Sequence, residues 1–397
     1  MRKLVLGSVL ALGFTMIAAP ASASATQSVH VVGAARGHLP EFLRQPWPQR
    51  GHGHGSWHPG PWRPGLPRIT NTLSFNEPGE VDVDPLTGRV YVANYGDNTV
   101  AVLDGRSDKT IATIPVGAGP GGIVFDRGRV FVANSFDGTI SVINAWTNKV
   151  VKTIDTGTIY TQQLAVNHHL RKLYVAVYRA PVLVYDLDTL NQIGTIPGDD
   201  TNFIAINEHT NTVYVDNYDD ATLEVVDSST DQIVHTISVG PAAFPDDCYE
   251  TDSCTVNPAG PDGIAVNTLT NRVYVNNVIT GTLVTVDGHT NQVISTVQQL
   301  PGQFWSAVDE ATNRVYSTNF AESTVSVLDG RTNTVLGTIK IGDGFSPEGC
   351  FTDQSTCTSF GASSSSLAFS PFTGKIYVPN FGINTVTVLS TRASWSW

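Results

Sequence analysis

An all-β fold, a seven-bladed β-propeller of four-stranded blades, is predicted by three observations in this 397-residue chain. The first is a phrase that recurs seven times: Tyr91-Val-Ala-Asn94, Phe131-Val-Ala-Asn134, Tyr174-Val-Ala-Val177, Tyr214-Val-Asp-Asn217, Tyr274-Val-Asn-Asn277, Tyr316-Ser-Thr-Asn319 and Tyr377-Val-Pro-Asn380. Its intervals are 40, 43, 40, 60, 42 and 61 residues. A period near 40 with four short strands per unit is the signature of propeller blades. The second is the composition between phrases, short runs of Val, Ile, Thr and Tyr, which suit a pleated, half-buried surface. The third is a match between the chain ends. The last unit stops after Thr385–Leu389, one strand short, while Arg68–Ser74 resembles the outer strand of the preceding unit, Thr332–Thr338. The N-terminal strand is therefore expected to complete the last blade and leave no gap in the ring.

One unit shows the expected order. Gly122–Asp126 is the innermost strand a, Val130–Ala133 strand b, Thr139–Ile143 strand c and Val150–Ile154 the outer strand d. The a–b and c–d turns share a recipe, as in Asp84-Pro-Leu-Thr-Gly88, Asn267-Thr-Leu-Thr-Asn271 and Asp329-Gly-Arg-Thr-Asn333. Asp or Asn opens the turn by a side-chain bond to the backbone, and Gly or Asn takes the left-handed position. The two long intervals carry inserts at about 241–261 and 343–363, both between a strand d and the next strand a. They fall on the face made by b–c and d–a loops, called the top here.

The seven phrases resemble the YVTN repeat of seven-bladed β-propellers, found in exported bacterial proteins and archaeal surface-layer proteins. The resemblance covers about residues 69–397. It departs at Val177, Ser317 and Pro379, where regularity of the blade is in question. Related architectures include phosphogluconolactonase and virginiamycin B lyase, both enzymes, so the fold does not decide an activity.

The segment before the repeats reads differently. Met1-Arg2-Lys3, the apolar run Leu4–Ala18 and the small residues Ala21–Ala25 read as a secretory signal peptide (1–25) cut after Ala23 or Ala25. This implies a secreted or periplasmic protein, and no later run is apolar enough for a membrane span. Residues 26–68 form a Pro-, Gly-, His- and Trp-rich arm without period, expected to be disordered. His52, His54 and His58 in it read either as a metal-binding set or as part of a linker. The chain carries 35 acidic and 23 basic side chains, for a net charge of −12, which argues against a nucleic-acid partner.

For chemistry, the histidines fall in the wrong places. His168, His169 and His209 lie in a–b turns, His289 in a c–d turn and His235 in an outer strand, so none sits at the top mouth as an acid or base. No Gly-x-Ser-x-Gly elbow, His-Glu-x-x-His or phosphate loop occurs. The top loops are instead rich in carboxylates, with Arg179 as their base. The candidate binding set is Glu80, Asp97, Asp137, Asp199, Asp200, Asp219, Asp220, Asp262, Trp305 and Glu322. Such a rim is read as a solvated surface, as a site for Ca²⁺ or another divalent cation, or as a docking face for a cationic partner. Each insert holds a cysteine pair, Cys248 with Cys254 and Cys350 with Cys357, expected as local disulfides in an exported protein.

The leading reading is a monomeric, non-catalytic binding module for a protein, glycan or small-molecule ligand, engaged through the acidic top face and stapled loops. The alternative is a lactonase- or lyase-like enzyme that uses top-face carboxylates with a bound divalent cation. Three acids converging on one point would favour the alternative. The asparagines that end the phrases are expected to bond their own loop backbones.

Overall fold

The protein, described here from a computed structural model, comprises seven four-stranded antiparallel sheets. The structure describes residues 65–198, 200–241, 259–299, 303–319, 322–342 and 366–392. Blade 1 contains Pro78–Val83, Arg89–Asn94, Thr99–Asp104 and Lys109–Pro115, paired in chain order from the inside out. The same order repeats through blade 6. In blade 7 the order is Ala368–Ser370, Lys375–Asn380, Thr385–Ser390 and then Arg68–Ser74. The inner strands of successive blades contact one another around the ring, and those of blades 7 and 1 close it. The chain is a seven-bladed β-propeller closed by its N-terminal strand.

The repeated phrase can now be read physically. Its aromatic residues, Tyr91, Phe131, Tyr174, Tyr214, Tyr274, Tyr316 and Tyr377, are among the largest fully buried side chains. They belong to seven apolar clusters, each filling the space between two adjacent blades. A sheet with both faces covered needs apolar residues at successive positions, which is why these strands read as continuous apolar runs rather than alternating ones. The hydroxyls of Tyr174, Tyr274 and Tyr377 bond the c–d turn of the next blade. Tyr377 donates to Gly105 O at 3.0 Å and lies 3.1 Å from Asp108 Oδ1, and Tyr174 lies 3.1 Å from Asp231 Oδ1.

The base that opens each strand b makes a parallel bond. Arg89 donates to Ala145 O, Arg129 to Leu187 O, Lys172 to Ser228 O, Arg272 to Gly330 O and Lys375 to Gly105 O. Arg314 reaches Gly65 O, which fastens the segment before the N-terminal strand to blade 6. Blade 4 has Thr212 at this position.

The phrase asparagines bond hydroxyls of strand c as well as loop backbone, where Asn217 Oδ1 accepts Asp220 N at 3.2 Å as the sequence suggests. Asn134 Nδ2 donates to Thr139 Oγ1 and Ser141 Oγ, and Asn319 and Asn380 repeat this with Thr324, Ser326, Thr385 and Thr387. Threonine opens strand c in all these blades, so the Asn acts as a clip between strands b and c. Asn277 also donates to Val239 O and Asn94 accepts Asn76 N, so the backbone bond survives where the loop comes close enough.

The turns follow their recipe. Asp84 Oδ1 accepts Leu86 N, Asp329 Oδ1 accepts Arg331 N, and Gly88, Asn271 and Asn333 have φ of 73°, 50° and 56°. The c–d pairs of blades 1 through 6 carry a register shift one residue from the middle, such as that at Val102/Leu103, and blade 7 has one at Ile69/Asn71. These bulges twist the exposed outer strand and blunt its unpaired edge.

Candidate functional site: the channel mouth and the blade 4–6 seam

Aligned at one level, the inner strands present Glu80, Gly122, Gln163, Phe203, Gly263, Trp305 and Ser366. Three of these lace a blade to the next by accepting its backbone amide. Glu80 Oε2 accepts Ile123 N at 3.1 Å, Gln163 Oε1 accepts Ile204 N at 2.6 Å, and Ser366 Oγ accepts Val81 N at 3.2 Å. Two residues further along, Asp82 Oδ2 accepts Phe125 N at 2.7 Å. The glycines at this level mark close approach: a Cβ on Gly122 would lie 2.1 Å from Gln162 O, and one on Gly263 2.1 Å from Phe304 O.

These strands line a channel cavity of about 270 Å³, whose wall includes Glu80, Asp82, Gln163, Trp305, Ser306 and Phe369 and, among the described residues, no Lys, Arg or His. Thr318 Oγ1 accepts the backbone N–H of Trp305 at 3.1 Å, and the Trp305 ring meets Phe203 edge-on at 4.8 Å. Burial pushes the Glu80 carboxyl well above the ordinary range and Asp82 up to about 6, against the lowering pull of the amides they accept.

A raised carboxyl favours the folded state most when protonated. The Asp82 contribution is therefore complete below its unfolded value of 3.8 and is lost as pH rises through about 6. The melting temperature is expected to fall between pH 5 and pH 8. Asp82→Asn, which keeps an acceptor for Phe125, should remove the step near 6 and stabilise the pH 8 protein by on the order of 2 kcal/mol. An Asp82→Asn variant with the native pH profile would refute this.

A second polar region crosses blades 4 to 6. The third residue of the phrase is Ala93, Ala133 and Ala176 in blades 1–3, but Asp216, Asn276 and Thr318 in blades 4–6. Asp216 Oδ1 accepts Asn202 N at 3.0 Å and Phe203 N at 2.8 Å. Asn276 Oδ1 accepts Ser306 Oγ at 3.1 Å and Ser317 Oγ at 3.3 Å, which joins this region to the channel wall. Asp200, Asp216 and Asp262 are all buried. Burial, reinforced by the charges of Asp216 and Asp200, holds the Asp262 carboxyl well above its ordinary value, and burial does the same to Asp216.

The structure thus groups the expected residues in pairs. Glu80 and Trp305 share the channel wall, and Asp200 and Asp262 share the blade 4–5 boundary. The loop acids bond within their own turn or to the neighbouring loop of the same blade. Asp97 accepts Asn94 Nδ2 at 2.9 Å and Asn76 Nδ2 at 2.7 Å, Asp137 accepts Ala118 N at 2.6 Å, and Asp220 accepts Asn217 Nδ2 at 3.1 Å. Asp219 and Glu322 are exposed. Asp199, the arm with His52, His54 and His58, the signal segment, and Cys248, Cys254, Cys350 and Cys357 lie outside the described residues. Among the described residues no three His, Cys, Asp or Glu side chains are gathered to hold a metal ion, and no helix is long and apolar enough to cross a membrane.

Sequence reasoning passed over a cluster on the opposite face. His168 Nδ1 lies 2.6 Å from Glu208 Oε1, and its Nε2 is 3.7 Å from Asp126, a fully buried carboxylate also paired with Arg129 and Arg171. The Glu208 bond raises the His168 pKa against desolvation. This clasp joins blades 2, 3 and 4. A signal for it exists in the repeat: Glu208 stands one blade after His168 at the same position, as Glu310 stands after Thr268, whose N–H it accepts at 2.6 Å.

No protein-family profile matches this chain, and no characterised protein is significantly similar to it in sequence.

Proposed function

We propose that this chain is an exported β-propeller of the YVTN-repeat kind that serves as a binding module and takes a cationic group at its channel mouth. The observation that carries the reading is one cavity in which the carboxyls of Glu80 and Asp82 share a wall with Trp305 and with no basic side chain. An ammonium or guanidinium group placed there meets two acids and an aromatic ring in a partly dry setting, where both attractions exceed their values in water. The burial that raises both carboxyls makes binding proton-linked, since a bound cation favours their ionised forms. Affinity should therefore rise with pH through about 6, the value to which burial lifts Asp82. The two inserts, with the expected bridges Cys248–Cys254 and Cys350–Cys357, are proposed to add selectivity.

Isothermal titration with spermidine at pH 7.5 tests this. Expected is saturable binding that weakens at least about tenfold in both Glu80→Gln and Trp305→Ala, in line with losing a charge partner or a ring contact. No binding of spermidine, or binding indifferent to both substitutions, would remove the basis for the reading.

A further inference from the structure

We infer that Asp262, Asp216 and Asn202 form an internal site for a hard divalent cation, Ca²⁺, between blades 4 and 5. Asp262 has no exposed surface, and among the described residues neither of its carboxylate oxygens meets a hydrogen-bond donor. Asp216 is equally buried; two amides occupy its Oδ1, and its Oδ2 meets no donor. Asn202, whose N–H donates to that same carboxylate, is buried with its Oδ1 also unmatched. Buried polar atoms are almost always paired, and each exception calls for an explanation such as an ion. Here four acceptor oxygens without donors stand in one buried region.

A proton on Asp262 does not resolve the region, because its one O–H accounts for two of the four oxygens and leaves two without a donor. Among the described residues no basic side chain offsets it either: the charges acting on Asp262 are those of Asp216 and Asp200. A cation bound among them would take the place of the missing donors and offset both carboxylates. The donors are oxygens only, from two carboxylates and an amide, which suits Ca²⁺ and disfavours Zn²⁺ or Cu²⁺, whose preferred ligands are nitrogen and sulfur. Ca²⁺ also accepts water and backbone carbonyls, so it does not need a third carboxylate ligand. Complete burial of Asp262 disfavours an organic ammonium, which would need an open path for its carbon chain. The site uses different residues from the channel wall and holds whether or not the channel takes a ligand.

The test is thermal unfolding of the full mature protein after chelation, with and without CaCl₂, alongside calorimetric titration of Ca²⁺. Saturating Ca²⁺ should raise the melting temperature by about 3 °C or more, with one site per chain. Asp262→Asn and Asp216→Asn should be at least as stable as the native protein without metal, because each removes a buried charge, yet lose the Ca²⁺ response. Glu80→Gln should keep that response, which separates this site from the channel. An unchanged native melting temperature, the absence of one-site binding, or a full response in Asp262→Asn would overturn the inference. So would stabilisation by spermidine with none by Ca²⁺. If Asp262→Asn fails to fold, the titration of the native protein decides.

Discussion

A chain that begins at Asn76 is expected to aggregate, or to melt about 10 °C or more below one that begins at Gly65. The difference between the two is the strand Arg68–Ser74 and its flanks. That strand pairs antiparallel with Thr385–Ser390 from Arg68↔Ser390 to Ser74↔Thr385, and Phe75 N donates to Asn384 O at 2.8 Å. Leu66 packs against the blade 6–7 cluster and Leu73 against the blade 7–1 cluster, while Gly65 O accepts from Arg314. Removal leaves blade 7 with three strands and bares the backbone of Thr385–Ser390, a row of unpaired groups ready to pair with another chain. It also uncovers one side of two inter-blade clusters. Scanning calorimetry with light scattering reads both effects. Equal melting of the two chains would mean that the ring does not depend on its N-terminal closure.

Tyr377→Ala should lower stability by about 3–5 kcal/mol in urea denaturation, the usual cost of emptying a buried aromatic site. Tyr377 has no exposed surface and sits in the cluster between blades 7 and 1. Its neighbours belong to rigid sheets and cannot collapse into the space, which favours the upper part of that range. Tyr377→Phe keeps the ring and loses the bonds to Gly105 O and Asp108, for about 1 kcal/mol. Tyr214 supplies the control. It is buried to the same degree, but its hydroxyl meets no partner among the described residues, so Tyr214→Phe should be neutral or stabilising. If the two Phe variants cost the same, the hydroxyl bridge to the next blade has no energetic role.

The interior acids oppose these contributions. Glu80, Asp82, Asp216 and Asp262 all have raised carboxyls, so each favours folding less as pH rises through its folded value. A propeller can carry such groups because its stability resides in seven apolar interfaces, leaving the channel and the blade 4–5 boundary open to chemistry. Glu80 shows how closely the two uses lie, since one carboxyl accepts an amide of the next blade and also lines the cavity.

The amino-acid order alone determined the blade count, the four-strand unit, the turn chemistry and the closing strand. Each of these is local or periodic. A Tyr every 40 residues or so and an Asp or Asn at each turn are legible wherever they occur, because the physics that selects them acts within a few residues or repeats by period. The site was legible only in part. Glu80, Trp305, Asp200 and Asp262 stood out as acids or aromatics in top loops and inner strands, but so did Asp97, Asp137 and Asp220, which the structure assigns to bonds within and between the loops of their own blade. Composition does not separate these groups, since a carboxylate one residue from a backbone amide and one facing a channel share the same letter. Asp82, Gln163 and the His168–Glu208 clasp gained their roles from a partner on the next blade, 40 or more residues away, and Asp216 from amides of its own blade, 13 and 14 residues back. Only ring closure brings the inner strands level around one axis, and that juxtaposition decides which acids are buried, which are paired and which are left without a donor.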